Sequence, residues 1–267
     1  MRLDDVRGFV FDVDGSLVHR DETFRARPLP GAVEVLEAIR ASGRKLAIFT
    51  NGSHLTPEAF ARELRADGLP VADEEIVTPV RSALSYLRRR HDGAPVLLFA
   101  QPAVRERLVA EGVNVVDSED AAVVLVLHVD DADFPALERA ARAILRGARL
   151  LTANYLPSYA GANGPIFSRG AMVTAAIAKA ASVRPTVVGK PSRAAVQELR
   201  DRLGVPSEDL LVTGDDVRMD IGLGHLGGSR TVLVRSGITG DMDVTRLPER
   251  RRPHAVVDGV AELLAWL

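Results

Sequence analysis

Two aspartates two residues apart, Asp12 and Asp14, close an apolar run of strand type, Phe9-Val10-Phe11, and are followed at once by Gly15 and Ser16. Side chains two apart on an extended strand point to the same side, so both carboxylates can face one site, and Gly15 lets the backbone turn sharply beside them. The β-branched and aromatic run suits a strand buried on both faces. That puts the pair at a strand's carboxyl end, where open α/β sheets bind ligands. The plainer reading of Val13-Asp14-Gly15-Ser16 is a hairpin turn, for which Asp-Gly is a common signal.

The same arrangement recurs along the chain. Lys45-Leu46-Ala47-Ile48-Phe49 ends at Thr50-Asn51-Gly52-Ser53; Pro185-Thr186-Val187-Val188 runs into Gly189-Lys190-Pro191; and Leu210-Leu211-Val212 leads into Thr213-Gly214-Asp215-Asp216, with Asp220 beyond. Singly, these have ordinary explanations as a turn, an exposed lysine and an acidic loop. On one parallel sheet they would converge on a crevice holding several carboxylates, a hydroxyl and a lysine.

The elements needed to position them alternate as strand and helix. After a polar loop over 17–29, Pro30-Gly31 introduces a helix with Val33, Leu36 and Ile39 on one face, stopping near Gly43. Thr56-Pro57 opens the next helix, Thr56 as N-cap. From residue 78 to 168 the α/β pattern continues, with helices over 82–90 and 134–146 and strands over 96–99 and 123–127, but none of these strands ends in a carboxylate or lysine. This stretch reads as a smaller α/β domain inserted into the first. The core pattern resumes with a helix over 170–181, the strand at 185–188 and a helix from Ser192, as N-cap, through Leu203. Strands at 210–212, 231–234 and 255–257 and a helix over 260–266 follow. The expected architecture is α/β: a Rossmann-like parallel sheet over 1–77 and 169–267, with the inserted domain at 78–168.

Composition narrows the function classes. The chain has 267 residues, 46% of them hydrophobic, which is enough for a sizeable core. Its net charge of −2, with 34 basic residues spread along the chain, gives no electrostatic footprint for nucleic acid. The chain lacks cysteine, which removes disulfides, thiolate metal sites and a cysteine nucleophile. No apolar run is long enough for a membrane helix and no signal-like stretch stands at the start, so no membrane association and a cytoplasmic location are expected.

In residue order and spacing the chain resembles the haloacid dehalogenase superfamily phosphatases, specifically their NagD-like branch (subfamily IIA), which carries an inserted C2-type α/β cap. The motifs that carry the resemblance are Asp12-Val13-Asp14-Gly15-Ser16, Thr50-Asn51, Val188-Gly189-Lys190-Pro191-Ser192, and Gly214-Asp215-Asp216 with Asp220-Ile221. The resemblance implies hydrolysis of a small phosphorylated metabolite. Asp12 would attack phosphorus to give an aspartyl-phosphate, and Asp14 would protonate the leaving alcohol and then take a proton from the hydrolytic water. Clustered carboxylates repel a phosphate dianion, so a hard cation is required, and an all-oxygen site suits Mg²⁺. By resemblance Asp12, the backbone carbonyl of Asp14 and Asp215 would hold it, with Asp216 and Asp220 orienting these ligands. Gly15, Thr50, Asn51 and Lys190 would bind the phosphoryl group.

There are departures from the family pattern. Ser16 replaces threonine, Met219 stands where threonine often precedes the last aspartate, and Leu151-Thr152-Ala153-Asn154-Tyr155 replaces an Ala-Thr-Asn-Pro-Asp run. His54, Asp130 and Asn154 are the candidate substrate contacts. An EF-hand calcium loop fails on ligand spacing, and a response-regulator receiver fails on the cap-sized insertion and the Asp12/Asp14 pair. The remaining alternative is a catalytically weak phosphometabolite-binding or regulatory protein that kept the site. A homodimer is among the assemblies the resemblance allows.

Overall fold

The computed structural model describes residues 3–21, 25–161 and 164–267. The first run of apolar residues forms the strand Gly8–Phe11, buried at every position, with the Phe9 and Phe11 rings stacked on one face 6.4 Å apart. It is central in a six-stranded parallel sheet, in the order Ala255–Val257, Arg230–Val234, Leu210–Gly214, Gly8–Phe11, Lys45–Phe49, Ile76–Val77. Phe11 lies level with Thr213 on one side and Ile48 on the other, so three strands release their chains at the same height. The chain leaves Gly8–Phe11 toward Lys45–Phe49 and returns later to Leu210–Gly214 on its other side, which makes this the switch point where a doubly wound sheet opens a crevice.

Helices cover this sheet through their apolar stripes. Ala32–Ala41 buries Ala32, Val35, Leu36 and Ile39, spaced at the helical repeat. Arg193–Leu203 packs Ala195, Leu199 and Leu203 against Val10, Ala47 and Val212. Ser192 Oγ accepts from Ala195 N at 3.0 Å, the cap expected from sequence, and Gly204 ends the helix in the left-handed region at φ 63°.

The structure divides into two compact units, one of residues 1–50, 58–77 and 190–267, the other of residues 51–57 and 78–189. The second unit has its own parallel sheet, in the order Thr186–Val187, Arg149–Thr152, Val123–Val126, Val96–Phe99, Val115–Val116. Phe134–Leu145 and Arg169–Ala180 pack on it through Ala140, Ala143, Ile144, Ile177 and Ala178.

The sequence reading is corrected at three places. The strand at 185–188 was expected in the first sheet, and with it the helix over 170–181. Thr186–Val187 instead pairs with Leu151–Thr152 in the second sheet, and the chain re-enters the first unit at Lys190 rather than at 169. Two strand-forming residues, neither fully buried, carry no pattern that tells one parallel sheet from another. The polar stretch after Leu17 also holds a hairpin, Val18–Arg20 against Ala26–Pro28. The expected last helix is a 3₁₀ segment, Val260–Ala265.

Candidate active site

Asp12 leaves the sheet one residue past Phe11, its backbone N–H donating to Thr213 O at 2.9 Å, so it starts from the central strand with its backbone still in the ladder. Lys190 Nζ donates to Asp12 Oδ1 at 2.5 Å and to Asp220 Oδ1 at 2.7 Å, and it stands 5.5 Å from the centre of the Phe49 ring. The lysine side chain is only 2% exposed. Burial works against its charge, and Asp12 and Asp220 outweigh that, holding its pKa above the ordinary lysine value.

Leu210–Gly214 delivers the other carboxylates. Asp215 Oδ2 accepts from Ile238 N at 2.6 Å. Asp216 caps the π-helical turn Val217–Ile221 by accepting from Arg218 N and Met219 N, and that turn carries Asp220 back, its Oδ2 accepting from Asp216 N at 3.1 Å. Asp12, Asp215 and Asp220 each offer an oxygen, and the three lie within 4.8 Å of one another, close enough to hold a metal ion. Lys190 is the only cation bonded to this cluster among the described residues. Burial, then repulsion from Asp12 and Asp220, pushes the Asp215 carboxyl up to about 8; burial above all, with Asp12, pushes Asp220 up to about 7, and burial raises Asp12 as well. A cluster so short of positive charge, built from oxygen donors, fits a hard cation.

Glycines leave room for the carboxylates. A Cβ on Gly15, whose φ is 81°, would lie 2.4 Å from Asp215 Oδ2; one on Gly237 would lie 1.9 Å from the same atom; and one on Gly214 would lie 2.2 Å from Asp220. The 236–239 turn is a part of the site that the sequence reading missed. It supplies the Ile238 N–H to Asp215, while Ser236 Oγ donates to Gly15 O and Thr239 N to Asp215 O. The signal was there, since Ser236-Gly237 follows the strand Arg230–Val234 as Thr50-Asn51-Gly52 follows Lys45–Phe49.

Asp14 is half-exposed and paired with Arg20, whose Nε donates to Asp14 Oδ1 at 2.6 Å. Thr50 is buried at the end of Lys45–Phe49, its N–H donating to Val77 O. The four remaining candidates belong to the second unit. Asn51 Oδ1 lies 2.8 Å from where a Gly189 Cβ would be, and the Asn154 carbonyl accepts from Thr152 Oγ1 at 2.8 Å. The His54 ring meets His128 edge-on, and Asp130 accepts from Gln101 Nε2 and Arg169 Nη1, each at 2.5 Å.

The family described as haloacid dehalogenase-like hydrolase matches residues 9–114, and the one described as HAD-hydrolase-like matches residues 187–263. Human glycerol-3-phosphate phosphatase is 30% identical, aligned over 99% of this chain and 92% of its own. The ribonucleotide monophosphatase NagD of Escherichia coli is 28% identical over 97% and 98% of the two chains. The solved p-nitrophenyl phosphatase from Archaeoglobus fulgidus superposes with a TM-score of 0.86 at 28% identity, covering 98% and 100% of the chains.

Proposed function

The chain belongs to the haloacid dehalogenase-like hydrolases, as a phosphatase of the NagD-like branch, and from that premise we propose that it hydrolyses a small phosphorylated metabolite through a phosphoryl group carried on Asp12. The observation that carries this reading is the convergence of Asp12, Asp215 and Asp220 within 4.8 Å, with Lys190 bonded to two of them. Uncatalysed phosphate monoester hydrolysis calls for rate enhancements of up to about 10²¹, far beyond a single hydrogen bond. The reaction is therefore divided between a nucleophile and a proton carrier.

Asp12 is the nucleophile, since one of its oxygens is fixed by Lys190 and the carboxylate emerges from the centre of the sheet. Lys190 neutralises charge on Asp12 and on the transferring group. Thr50, with the backbone around Gly15 and Asn51, holds phosphoryl oxygens. Asp14 donates a proton to the departing alcohol and then accepts one from water. Asp12, the carbonyl of Asp14 and Asp215 would hold Mg²⁺, which when bound would supply positive charge to offset carboxylate–phosphate repulsion. Asp220 has both oxygens engaged, by Lys190 and by Asp216 N, which supports an orienting role for it. Residues 51–57 and 78–189 are read as the inserted cap, and His54, Asp130 and Asn154 within it are the candidate substrate-selecting residues.

The test is phosphate release from a panel of phosphomonoesters by the native chain and by Asp12→Asn, with Mg²⁺ and with chelator. The reading predicts many turnovers that require Mg²⁺ and vanish in the variant. Saturable binding of an ester without turnover would replace the enzyme with a phosphometabolite-binding protein.

A further inference from the structure

We propose that Arg20 is a positioning residue that fixes the Asp14 carboxylate for the second half of the reaction, hydrolysis of the aspartyl-phosphate; this deepens the reading above and rests on its assignment of Asp12 and Asp14. Asp14 is half-exposed, a setting in which a short carboxylate ordinarily exchanges rotamers. Here Arg20 Nε donates to Asp14 Oδ1 at 2.6 Å, and the guanidinium is anchored at two further points. Its Nη1 donates to Glu63 Oε1 at 2.7 Å, and its carbon stands 5.9 Å from the centre of the Phe60 ring. A guanidinium presents its donors in a rigid planar fork, so fixing one edge on Glu63 aims the other.

The backbone between the two residues is equally constrained. Gly15 N donates to Val18 O at 2.8 Å, and Leu17 N and Val18 N both donate to Val13 O. The strand ending at Arg20 is paired across the hairpin, Arg20 opposite Ala26. Arg20 and Asp14 therefore sit on one stiff loop, and the pairing is a feature of its geometry.

The step this geometry serves can be written out. A water oxygen bonds to phosphorus, the phosphorus–oxygen bond to Asp12 breaks with its electron pair returning to that carboxylate, and the proton of the water passes to Asp14. The acceptor must be a carboxylate with one oxygen available. Arg20 engages Oδ1, which leaves Oδ2 for the water. Attack on phosphorus needs the accepting oxygen held toward the water, and pairing Oδ1 with the anchored Arg20 guanidinium fixes where Oδ2 lies.

The experiment uses p-nitrophenyl phosphate with Mg²⁺, whose leaving group departs without protonation, and compares the native chain with Arg20→Met and Arg20→Lys by rapid quench. For Arg20→Met the first release of p-nitrophenolate is expected unchanged, steady turnover lower by about tenfold or more, up to the roughly 10²- to 10⁴-fold of a lost general base, and phosphoenzyme accumulated. Arg20→Lys recovers part of the turnover. Equal losses in both steps, or no change in either, would overturn the assignment. Glu63→Gln loosens the anchor without removing the guanidinium and keeps the test decisive if Arg20→Met does not fold: accumulated phosphoenzyme supports the inference, an unchanged level overturns it. If the native chain forms no phosphoenzyme and shows no turnover, the Asp12 reading fails first, and that outcome is distinct from these.

Discussion

Lys190 carries the charge that lets Asp12 and Asp220 lie side by side, and its contribution is separable. Replacing it by methionine leaves two buried carboxylates without their partner, which by analogy with other buried pairs destabilises by about 3–5 kcal/mol at neutral pH. Activity should fall about 10²-fold or more, as for loss of an electrostatic donor. Thermal unfolding and phosphate release on the same preparation check both. Asp215 and Asp220 give a pH signature. Their folded carboxyls titrate at about 8 and about 7, above the ordinary 3.8, so the native state holds protons that the unfolded chain has released in that interval. Stability of the metal-free protein contributed by these groups therefore declines as pH rises from about 4 to about 8. Asp215→Asn should flatten that decline in thermal midpoint measured against pH with chelator present, and a slope identical to the native chain's would contradict the assignment. At this scale Asp12, Asp215, Asp220 and Lys190 stood out in sequence only as a set, since each alone reads as a turn, a surface lysine or an acidic loop, and the structure brings them together. Arg20 was not legible, since nothing local distinguishes it from the other arginines of a half-exposed surface.

Turns, more than strands, decide how the carboxylates are held. The 236–239 turn touches Asp215 through a backbone N–H and leaves no room for a side chain at Gly237. Gly237→Ala should weaken Mg²⁺ activation by about 10- to 100-fold, the range for a neighbour that orients a ligand, read as a shift in the Mg²⁺ titration of activity. Little change in the far-UV spectrum is expected alongside it. Helix Arg193–Leu203 was legible at its start, from Ser192, because a cap is local chemistry, and its expected end at Leu203 holds. The strand Thr186–Val187 was legible as a strand but not in its sheet. Pairing is a long-range choice, and the backbone hydrogen bonds from Val188 N to Thr152 O and from Gly189 N to Ala153 O that extend it leave no trace in two residues. The π-helical turn Val217–Ile221 was missed for a related reason: its cap, Asp216, reads in sequence as one more acid in an acidic loop.

At the scale of the molecule, each unit has its own sheet and core. The second unit is nearly continuous, and its apolar cluster draws on strands and helices between residues 97 and 181. A fragment of residues 78–189 should fold cooperatively by circular dichroism and lack phosphatase activity, since Asp12, Lys190 and Asp215 lie outside it; a fragment that stays unfolded would contradict the autonomy of that core. In sequence the second unit reads as α/β pattern without chemistry at its strand ends, from which an insertion was expected. Its far boundary was not legible, because helix Arg169–Ala180 serves either sheet equally well by composition. Among the described residues no helix is long and apolar enough to cross a membrane. The central claim is that Asp12 becomes covalently phosphorylated, and the direct measurement is mass analysis of the peptide spanning residues 8–20 after acid quench of Asp14→Asn mixed with p-nitrophenyl phosphate and Mg²⁺, a substrate whose leaving group needs no proton from Asp14. The account predicts the added mass of one phosphoryl group on Asp12, absent from the Asp12→Asn/Asp14→Asn double variant. Substrate hydrolysis with that peptide unmodified throughout, or an equal label in the double variant, would contradict it.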